Sequence, residues 1–475
     1  MQRMIKSSIL SRNPNLFKPQ FHFTRVKKMN KLRIIPIGGF DEVGRNMTAV
    51  DLGEDVIIFD CGLYLPPIVE LEEAEKAYTE KKLRAIGAVP DDLIIDRLGL
   101  RSKVRAIIPS HAHLDHIGGL PFLAHRYNAD IIATPFTIQV LKTLFEDENI
   151  QPRNKLIAVQ PNSTYTVRGK NRSYKVDFIH ITHSTIQSSL IALHTPQGVV
   201  LYSNDFKFDN NPVLGQKPNY EKLKEIGKLG VKVLIVDSLY SGDERKTASE
   251  KVARAMLEEV LLSTSSQGKG LFVSTFSSHI ARLKSITDFG KQLNRKIVFL
   301  GRSLNKYVGS ATRINLCPFR NDIEMVSYRK HLEKKIQKIN ANRSEYMVVC
   351  TGHQGEPGSM LDRLTRNKLP FQFRNQDHVV FSSSIIPTKT NIENREKLDS
   401  KLKKRGVRIF NNIHVSGHAG REDLRDFVNM ISPEHIIPAH GGPDKTMPMI
   451  KLAEEIGYKP KYLHLVRNHK YVDIE

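Results

Sequence analysis

Cysteine is scarce in this chain, and tryptophan is missing altogether. The 475 residues include only three cysteines, Cys61, Cys317 and Cys350, which lie far apart. This spacing excludes a disulfide framework and a zinc site built on paired cysteines, and it is typical of a protein from the reducing cytoplasm. No apolar run reaches about 18 residues, so we expect no membrane span. Hydrophobic residues still make up 40% of the sequence, which is enough for a large core in two or three domains.

Acidic residues are absent from residues 1–30, which carry seven Lys and Arg. We interpret this stretch as a basic N-terminal tail; the alternatives are a transit peptide or a true start at Met29. The whole chain has a formal net charge of +22, and residues 241–380 carry +11. Such an excess favours a polyanionic partner, either nucleic acid or an acidic membrane surface. A soluble protein that is basic by chance is the remaining alternative.

Short apolar runs that end in polar residues dominate residues 31–240. They predict a layered α/β sandwich, with strands at 32–37, 48–52, 56–59, 104–108, 175–181, 189–194, 199–203 and 231–236. Residues 241–384 follow a βαβ rhythm instead, with helices predicted at 248–262, 279–292 and 326–339 and strands at 271–275, 296–300 and 346–350. The sandwich pattern returns in 385–475, with strands at 407–410 and 435–438. One domain therefore interrupts another.

The densest cluster of metal-binding residue types follows the predicted strand 104–108. His111, His113, Asp115 and His116 fall within six residues. Alternate residues of an extended loop, His111 and His113, can face one point, while Asp115 and His116 at the start of a helix can face a second point. Imidazole and carboxylate groups are natural ligands of Zn²⁺ and similar divalent metals. A chance solvated cluster is the alternative.

Three further candidate ligands follow predicted strands elsewhere in the chain. His183 follows the strand 175–181, Asp205 follows 199–203, and His440 follows 435–438. Strand ends in a layered α/β fold converge on one rim, so these side chains can meet the loop. A single histidine in such a position is otherwise most often structural.

These residues, in this order, resemble a known family. Asp60, the His-x-His-x-Asp-His loop, His183 and Asp205 resemble metallo-β-lactamase-fold hydrolases, and the insertion before His440 is similar to their β-CASP branch, whose members process nucleic acids. The segments 32–47, 275–280, 301–303, 351–357 and 414–418 further resemble ribonuclease J of the archaeal short form. The implied fold class is α/β: a metallo-β-lactamase αββα sandwich (31–240 and 385–475) interrupted by an inserted β-CASP α/β domain (241–384).

The residue pattern and the resemblance give the same assignment for two divalent ions. We expect Zn²⁺, with Mn²⁺ or Mg²⁺ as alternatives, and two such ions activate a water for attack at phosphorus. Asp60 would orient a ligand imidazole, and His418 would protonate the leaving 3′ oxygen. The expected ligands are His111, His113 and His183 for one ion, Asp115, His116 and His440 for the other, and Asp205 as the bridge.

Two groups of residues are expected to bind RNA phosphates, because small hydroxyls, an arginine fork and free backbone N–H groups suit a phosphate. The first group would hold the phosphate next to the reacting bond and comprises His414, Ser416, Gly417 and His418. The second group would hold a 5′-phosphate and comprises Ser277, His279, Arg302, Ser303, Gly352 and Gln354.

The resemblance implies a cytoplasmic two-metal ribonuclease that degrades single-stranded RNA 5′→3′ from 5′-monophosphate ends, in RNA decay and maturation. An endonuclease remains open, because the loop with Ala112 and Leu114 is also similar to β-CASP endoribonucleases of the cleavage-and-polyadenylation type. A small-molecule hydrolase of the lactamase or glyoxalase type and a DNA-directed nuclease are further alternatives. We expect no membrane partner. We do expect a homodimer or a higher homo-oligomer.

Removal of residues 1–30 should leave hydrolysis of RNA largely intact, because no candidate ligand or phosphate-binding residue lies in that stretch. The measurement compares kcat/KM of the full chain and the truncated chain on one RNA. An inactive but soluble truncation would contradict the interpretation of this stretch as a dispensable tail.

Overall fold

Three sheets organise the part of the chain that the structure describes. A computed structural model describes residues 32–69, 78–327, 329–386 and 388–475, and the predicted basic tail lies outside them. One sheet has seven strands and the other two have six each. Among the described helices, none combines the length and the apolar character needed to cross a bilayer.

The first part of the chain builds most of two sheets. Its strands are β1 (Leu32–Gly38), β2 (Met47–Asp51), β3 (Val56–Phe59), β4 (Val104–Ile108), β5 (Asp130–Ala133), β6 (Leu156–Ala158), β7 (Ser163–Arg168), β8 (Ser173–His180), β9 (Ser189–Thr195), β10 (Gly198–Ser203) and β11 (Val231–Asp237). Its α-helices are α1 (Pro66–Val69), α2 (Glu80–Ala85), α3 (Leu93–Arg97), α4 (Leu114–Ile117), α5 (Leu120–Leu123), α6 (Pro135–Asp147) and α7 (Tyr220–Leu229).

The insertion forms a sheet of its own in which all strands are parallel. Its strands are β12 (Leu271–Ser274), β13 (Lys296–Leu300), β14 (Ile323–Val326), β15 (Tyr346–Cys350), β16 (His378–Phe381) and β17 (Arg408–Phe410), in the spatial order β14-β13-β15-β12-β16-β17. Its helices are α8 (Glu250–Leu262), α9 (Ile280–Gln292), α10 (Arg302–Arg313), α11 (Arg329–Ala341), α12 (Met360–Thr365) and α13 (Lys389–Lys403). Because β17 pairs with β16, this sheet extends past residue 384, and the prediction that the strand at 407–410 belongs to the sandwich was wrong.

The chain then returns to the first two sheets. It adds α14 (Arg421–Ile431), β18 (His435–Ala439), α15 (Pro443–Ile456) and β19 (Val472–Ile474). The strand order is β19-β1-β2-β3-β4-β5-β6 in the first sheet and β18-β11-β10-β9-β8-β7 in the second. The last element of the chain therefore pairs with the first described strand.

Alternating side chains explain the αββα layering. In β3, Ile57 and Phe59 pack between the two sheets, while Val56 and Ile58 pack under the outer helices. All four residues are fully buried, as expected for a strand covered on both faces. A further apolar cluster packs α7, α14 and α15 on the second sheet. The expected fold class is confirmed.

The prediction of a helix at 326–339 was wrong at its beginning. Residues Ile323–Val326 form the edge strand β14, and the helix begins at Arg329. The short run Ile-Glu-Met-Val has one charged residue and too few apolar positions to separate a strand from the start of the helix that follows.

The loop after β4 lies against a short extended segment, residues 61–63. The backbone N–H of Cys61 donates to the carbonyl of His116 at 2.8 Å, and that of Leu63 donates to Leu114 at 2.9 Å. Gly62 lies between them, and a Cβ atom there would lie 1.7 Å from the carbonyl oxygen of Asp115. Only glycine permits this approach, which holds the turn from Leu114 to Ile117 in place.

We therefore expect Gly62→Ala to destabilise the protein by about 3 kcal/mol, because the methyl group must displace backbone atoms. Thermal unfolding would show a lower midpoint. Gly309→Ala is the matched control, since a Cβ there meets no atom within 4 Å and alanine stabilises a helix by about 0.5–1 kcal/mol relative to glycine. Equal midpoints for both variants would contradict this account of Gly62.

Candidate metal centre

Seven predicted side chains from four separate segments meet at one rim of the sandwich. They follow β4, β8, β10 and β18 or belong to the first turn of α4, and their potential ligand atoms form two groups that share one carboxylate. The groups are His111, His113, His183 and Asp205, and Asp115, His116, Asp205 and His440. Within each group all ligand atoms lie within 4.8 Å of one another.

The first group places three imidazole nitrogens around one point. His113 Nδ1 lies 3.1 Å from His111 Nε2 and 3.1 Å from His183 Nε2. Asp205 Oδ2 lies 3.6 Å from His111 Nε2 and 3.7 Å from His183 Nε2. At these separations the four potential ligand atoms face a common centre.

The second group lies on the other side of Asp205. His116 Nε2 is 3.2 Å from Asp205 Oδ2 and 3.5 Å from Asp115 Oδ2, and it also lies 3.1 Å from the amide nitrogen of Asn46. His440 Nε2 is 4.0 Å from Asp115 Oδ2. Asp205 Oδ1 is buried with no hydrogen-bond partner among the described residues, so a cation would satisfy it.

Hydrogen bonds to the outer nitrogens orient three of these rings. The Nδ1–H of His116 donates to Asp60 Oδ2 at 2.7 Å, and that of His183 donates to the carbonyl of Gly417 at 2.8 Å. The Nδ1–H of His440 donates to the side-chain oxygen of Asn46 at 3.0 Å. When such a ring is neutral, its proton is on Nδ1 and Nε2 is free of a proton, as metal binding requires.

The remaining two rings have hydroxyl partners. Ser110 Oγ donates to Asp60 Oδ2 at 3.0 Å, so the His111 Nδ1–H 3.0 Å away donates to Ser110 Oγ. His113 Nε2 lies 3.0 Å from Ser278 Oγ in the inserted domain. All five imidazoles therefore have one partnered nitrogen and one nitrogen that faces the cluster.

The protonation states suit a cation. Burial lowers the pKa of His111, His113 and His183, to about 4 for His113, so these rings are neutral at neutral pH. Burial by itself would raise the pKa of Asp115 and Asp205, but the positive charge of a protonated His116 outweighs it and both carboxyls stay ionised. Against burial, Asp205 and Asp115 in turn raise the pKa of His116 well above its ordinary value, and a bound cation would take the place of that proton. Neutral imidazoles and ionised carboxylates are the forms that bind metal ions.

Three residues of the centre have a left-handed backbone. The φ angles of Asp60, Asp205 and His440 are 55°, 56° and 62°, a region that residues other than glycine rarely adopt. Each of them follows the end of a strand, β3, β10 or β18. The sharp turn aims the side chain across the rim, and such strain concentrates at functional sites.

His418 lies beside the cluster rather than in it. Its Nε2 is 3.9 Å from Asp205 Oδ2, and its Nδ1–H donates to Asp237 Oδ2 at 2.7 Å. Burial opposes protonation, but Asp237 and Asp205 outweigh it and raise the pKa of His418 to about 9. The ring is therefore a proton donor that faces the metal ligands.

A buried arginine positions the loop that carries His418. Arg282 is fully buried, and its guanidinium donates to both oxygens of Glu250 at 2.5 and 2.9 Å and to the carbonyl of Ile413 at 3.2 Å. Its Nη1 lies 3.5 Å from His414 Nδ1. Burial, and then Arg282, lower the pKa of His414 to about 2. The predicted phosphate ligand His414 is thus a neutral part of this network.

The other predicted RNA-binding residues lie in several settings. His279 caps α9 and has its Nε2 3.2 Å from Glu250, and the Gln354 side chain donates to Ser384 and accepts from Ile386. The Ser416 hydroxyl accepts from the backbone N–H of His418 at 3.0 Å. Ser277, after β12, is half-buried and Gly352, after β15, is buried, whereas Arg302 and Ser303 are exposed in the first turn of α10.

Comparisons with known proteins agree with this geometry. Family models match the chain at residues 40–236 (metallo-beta-lactamase superfamily), 267–397 (ribonuclease J, beta-CASP domain) and 404–463 (Zn-dependent metallo-hydrolase RNA specificity domain). The chain is 42% identical to ribonuclease J of Methanocaldococcus jannaschii, over 94% of this chain and 99% of that protein. The chain belongs to the ribonuclease J family.

Other ribonuclease J proteins are similar to this chain along most of its length. The ribonuclease J of Pyrococcus abyssi is 39% identical, over 94% of this chain and 98% of that protein, and ribonuclease J 1 of Streptococcus pyogenes is 30% identical, over 93% and 74%. A crystal structure of a protein of unknown function from Enterococcus faecalis has the same fold, with a TM-score of 0.62, 15% identity, and coverage of 93% of this chain and 100% of that one.

Four residues that lie around the metal centre of this chain were not predicted from the sequence. Asn46 and Ser278 bind ligand imidazoles, Asp237 binds His418, and Arg282 orders the loop that follows. Asp237 could have been predicted from the sequence, because it is the last residue of strand β11, just as the predicted ligand Asp205 lies after the end of β10. The other three could not, since an asparagine, a serine and an arginine in loops or helices are common without any such role.

Proposed function

We propose that this chain is a two-metal ribonuclease that degrades single-stranded RNA 5′→3′, with a preference for 5′-monophosphate ends. One observation carries the proposal: five imidazoles, each tethered at its outer nitrogen, and two ionised carboxylates form two ligand sets that share Asp205. The match to an RNA specificity domain and the net charge of +22 support RNA as the substrate. RNA decay and maturation in the cytoplasm is the corresponding role, and the free cysteines are compatible with that compartment.

The residues present fit two divalent cations, and an imidazole-rich set favours Zn²⁺. His111, His113 and His183 would hold one ion, Asp115, His116 and His440 the other, and the carboxylate of Asp205 has an oxygen for each. Bound cations of this kind supply Lewis acidity and a hydroxide nucleophile at neutral pH. Asp60 has the positioning role, because its carboxylate accepts from His116, Ser110 and Tyr202 at once.

His418 is the proposed acid for the leaving 3′ oxygen. Asp237 holds its Nδ1–H, so the proton on Nε2 is directed toward the reacting phosphate beside Asp205. A group with a raised pKa donates a proton at neutral pH, and positioned acids contribute roughly 10²–10⁴-fold to rate. Departure of the 3′ oxygen leaves a 5′-phosphate on the remaining RNA.

The 5′→3′ direction follows from this product. Each cut regenerates the 5′-monophosphate that a phosphate pocket would hold, so degradation proceeds stepwise to mononucleotides. Ser277, Arg302, Ser303 and Gly352 are the proposed pocket, supported by their positions after the neighbouring strands β12, β13 and β15. A pocket for one phosphate crowds a triphosphate and leaves buried donors unpaired beside a 5′-OH.

A homodimer or higher homo-oligomer stays a prediction.

The decisive experiment follows the first products from RNA labelled at either end. We expect 5′-nucleoside monophosphates from the start and the fastest degradation of 5′-monophosphate RNA. Asp115→Ala should abolish hydrolysis and reduce bound metal while RNA binding survives, and Asp426→Ala, an exposed acid on α14, is its control. Internal fragments formed at a rate that does not depend on the 5′ end would favour the endonuclease. Full activity in the presence of a metal chelator would contradict the proposal as a whole.

Asp237→Asn should reduce kcat by about 10²-fold with little change in KM or metal content, because it weakens the proton donor. The raised pKa of His418 makes wild-type activity fall as pH rises through about 9. Loss of the carboxylate lowers that pKa, so the alkaline limb of the pH–rate profile should move to lower pH. An unchanged alkaline limb would contradict the role of the pair.

A further inference from the structure

A concave surface on the inserted domain lies outside the metal centre. It is a groove of about 440 Å³ between the edge strand β14 and helix α11. Its polar lining comes from Glu324, Ser327, His331, Lys334, Lys335 and Lys338. We call it the α11 groove.

The α11 groove has an excess of positive charge on one helix face. His331, Lys334, Lys335 and Lys338 follow the spacing i, i+3, i+4, i+7, so they share one side of α11. Lys335 pairs with Glu324 and lies over the ring of Tyr346, 4.8 Å from its centroid. Lys334 and Lys338 are exposed, and within the described residues neither forms a salt bridge.

The position of the groove relates it to the metal centre. The strands of the third sheet are parallel, so their carboxyl ends lie along one edge in the order β12, β15, β13, β14. The turn after β12 reaches the centre through Ser278 and His113, and Ser327 follows β14 three strand spacings of about 4.8 Å, or about 14 Å, along this edge. Helix α11 runs from this edge back along the sheet, since Lys335 pairs with Glu324 near the start of β14 and lies over Tyr346 at the start of β15.

Phosphate is the chemistry that this surface would recognise. Lysine ammonium groups bind phosphates as point charges, and β14 adds the unpaired backbone groups of an edge strand. The edge between the groove and the centre also carries Gly352 and Arg302, two proposed phosphate contacts. The groove begins at Ser327 on this edge and continues along α11.

We infer that the α11 groove binds the RNA backbone outside the nucleotides that react, and so extends the RNA track along the inserted domain. The inference rests on the proposed function, since it takes RNA as the substrate. It assigns Lys334 and Lys338 to affinity for long RNA and not to hydrolysis.

The test measures RNA binding by the double variant Lys334→Gln/Lys338→Gln in the Asp115→Ala background, so that the RNA stays intact. An RNA of about 20 nucleotides should bind about tenfold more weakly, and its salt slope should fall by about 1.4, since each phosphate contact contributes about 0.7. Hydrolysis of a 5′-phosphorylated dinucleotide by the double variant with Asp115 retained should be unchanged.

Lys224→Gln/Lys228→Gln on α7 is the matched control, with the same charge change, the same spacing and exposed side chains. Glu324→Gln tests the sign of the charge effect and should tighten binding of the long RNA. Unchanged affinity and salt slope in both groove variants would overturn the inference and leave the groove to a protein partner. Failure to hydrolyse any RNA would instead overturn the proposed function, because binding is read separately.

Discussion

The structure depends on one electrostatic constraint: imidazole nitrogens must face each other at 3.1 Å without protons between them. The lone pairs of neutral imidazoles repel at this distance, and a bound cation would remove that repulsion. To bind a cation, each ring must be neutral, and its single proton must point away from the cluster. Asp60, Ser110, Asn46 and Gly417 accept those protons. They belong to different segments, so the tautomers are set only in the folded chain.

The inserted domain contacts the loop that carries the histidines directly. Ser278 of the insertion contacts His113, and Tyr307 of α10 donates to the carbonyl of Ala112 at 3.3 Å. Arg282 connects α8, the turn after β16 and the loop that leads to His418. A buried ion pair is a poor source of stability but is costly to break. Glu250 and Arg282 both belong to the insertion, and their pair holds the guanidinium where it also donates to Ile413, in the loop that returns to the sandwich.

Secondary structure was predictable where the pattern was long or strongly apolar. The buried strands β3, β4 and β15 were predicted at their observed bounds, because strands covered on both faces are continuous apolar runs. Strand β14 was not, since its four residues lie on an edge and carry Glu324. Side-chain roles within a matched segment were not predictable either. Gln354 and His279 are engaged in loop and helix contacts, whereas Ser278, next to the predicted Ser277, contacts the centre.

The sequence by itself determined the family, the fold class and the set of ligand residue types, because a dense His and Asp loop and strand-end acids are local patterns. It also determined the excess of positive charge. Only the tertiary structure decided which nitrogen of each histidine faces inward, that Asp237 partners His418, and that Arg282 orders the following loop. Those contacts join residues far apart in the chain, and a hydrogen bond of about 3 Å depends on backbone turns such as those at the left-handed residues Asp60, Asp205 and His440. Local sequence does not encode such distances.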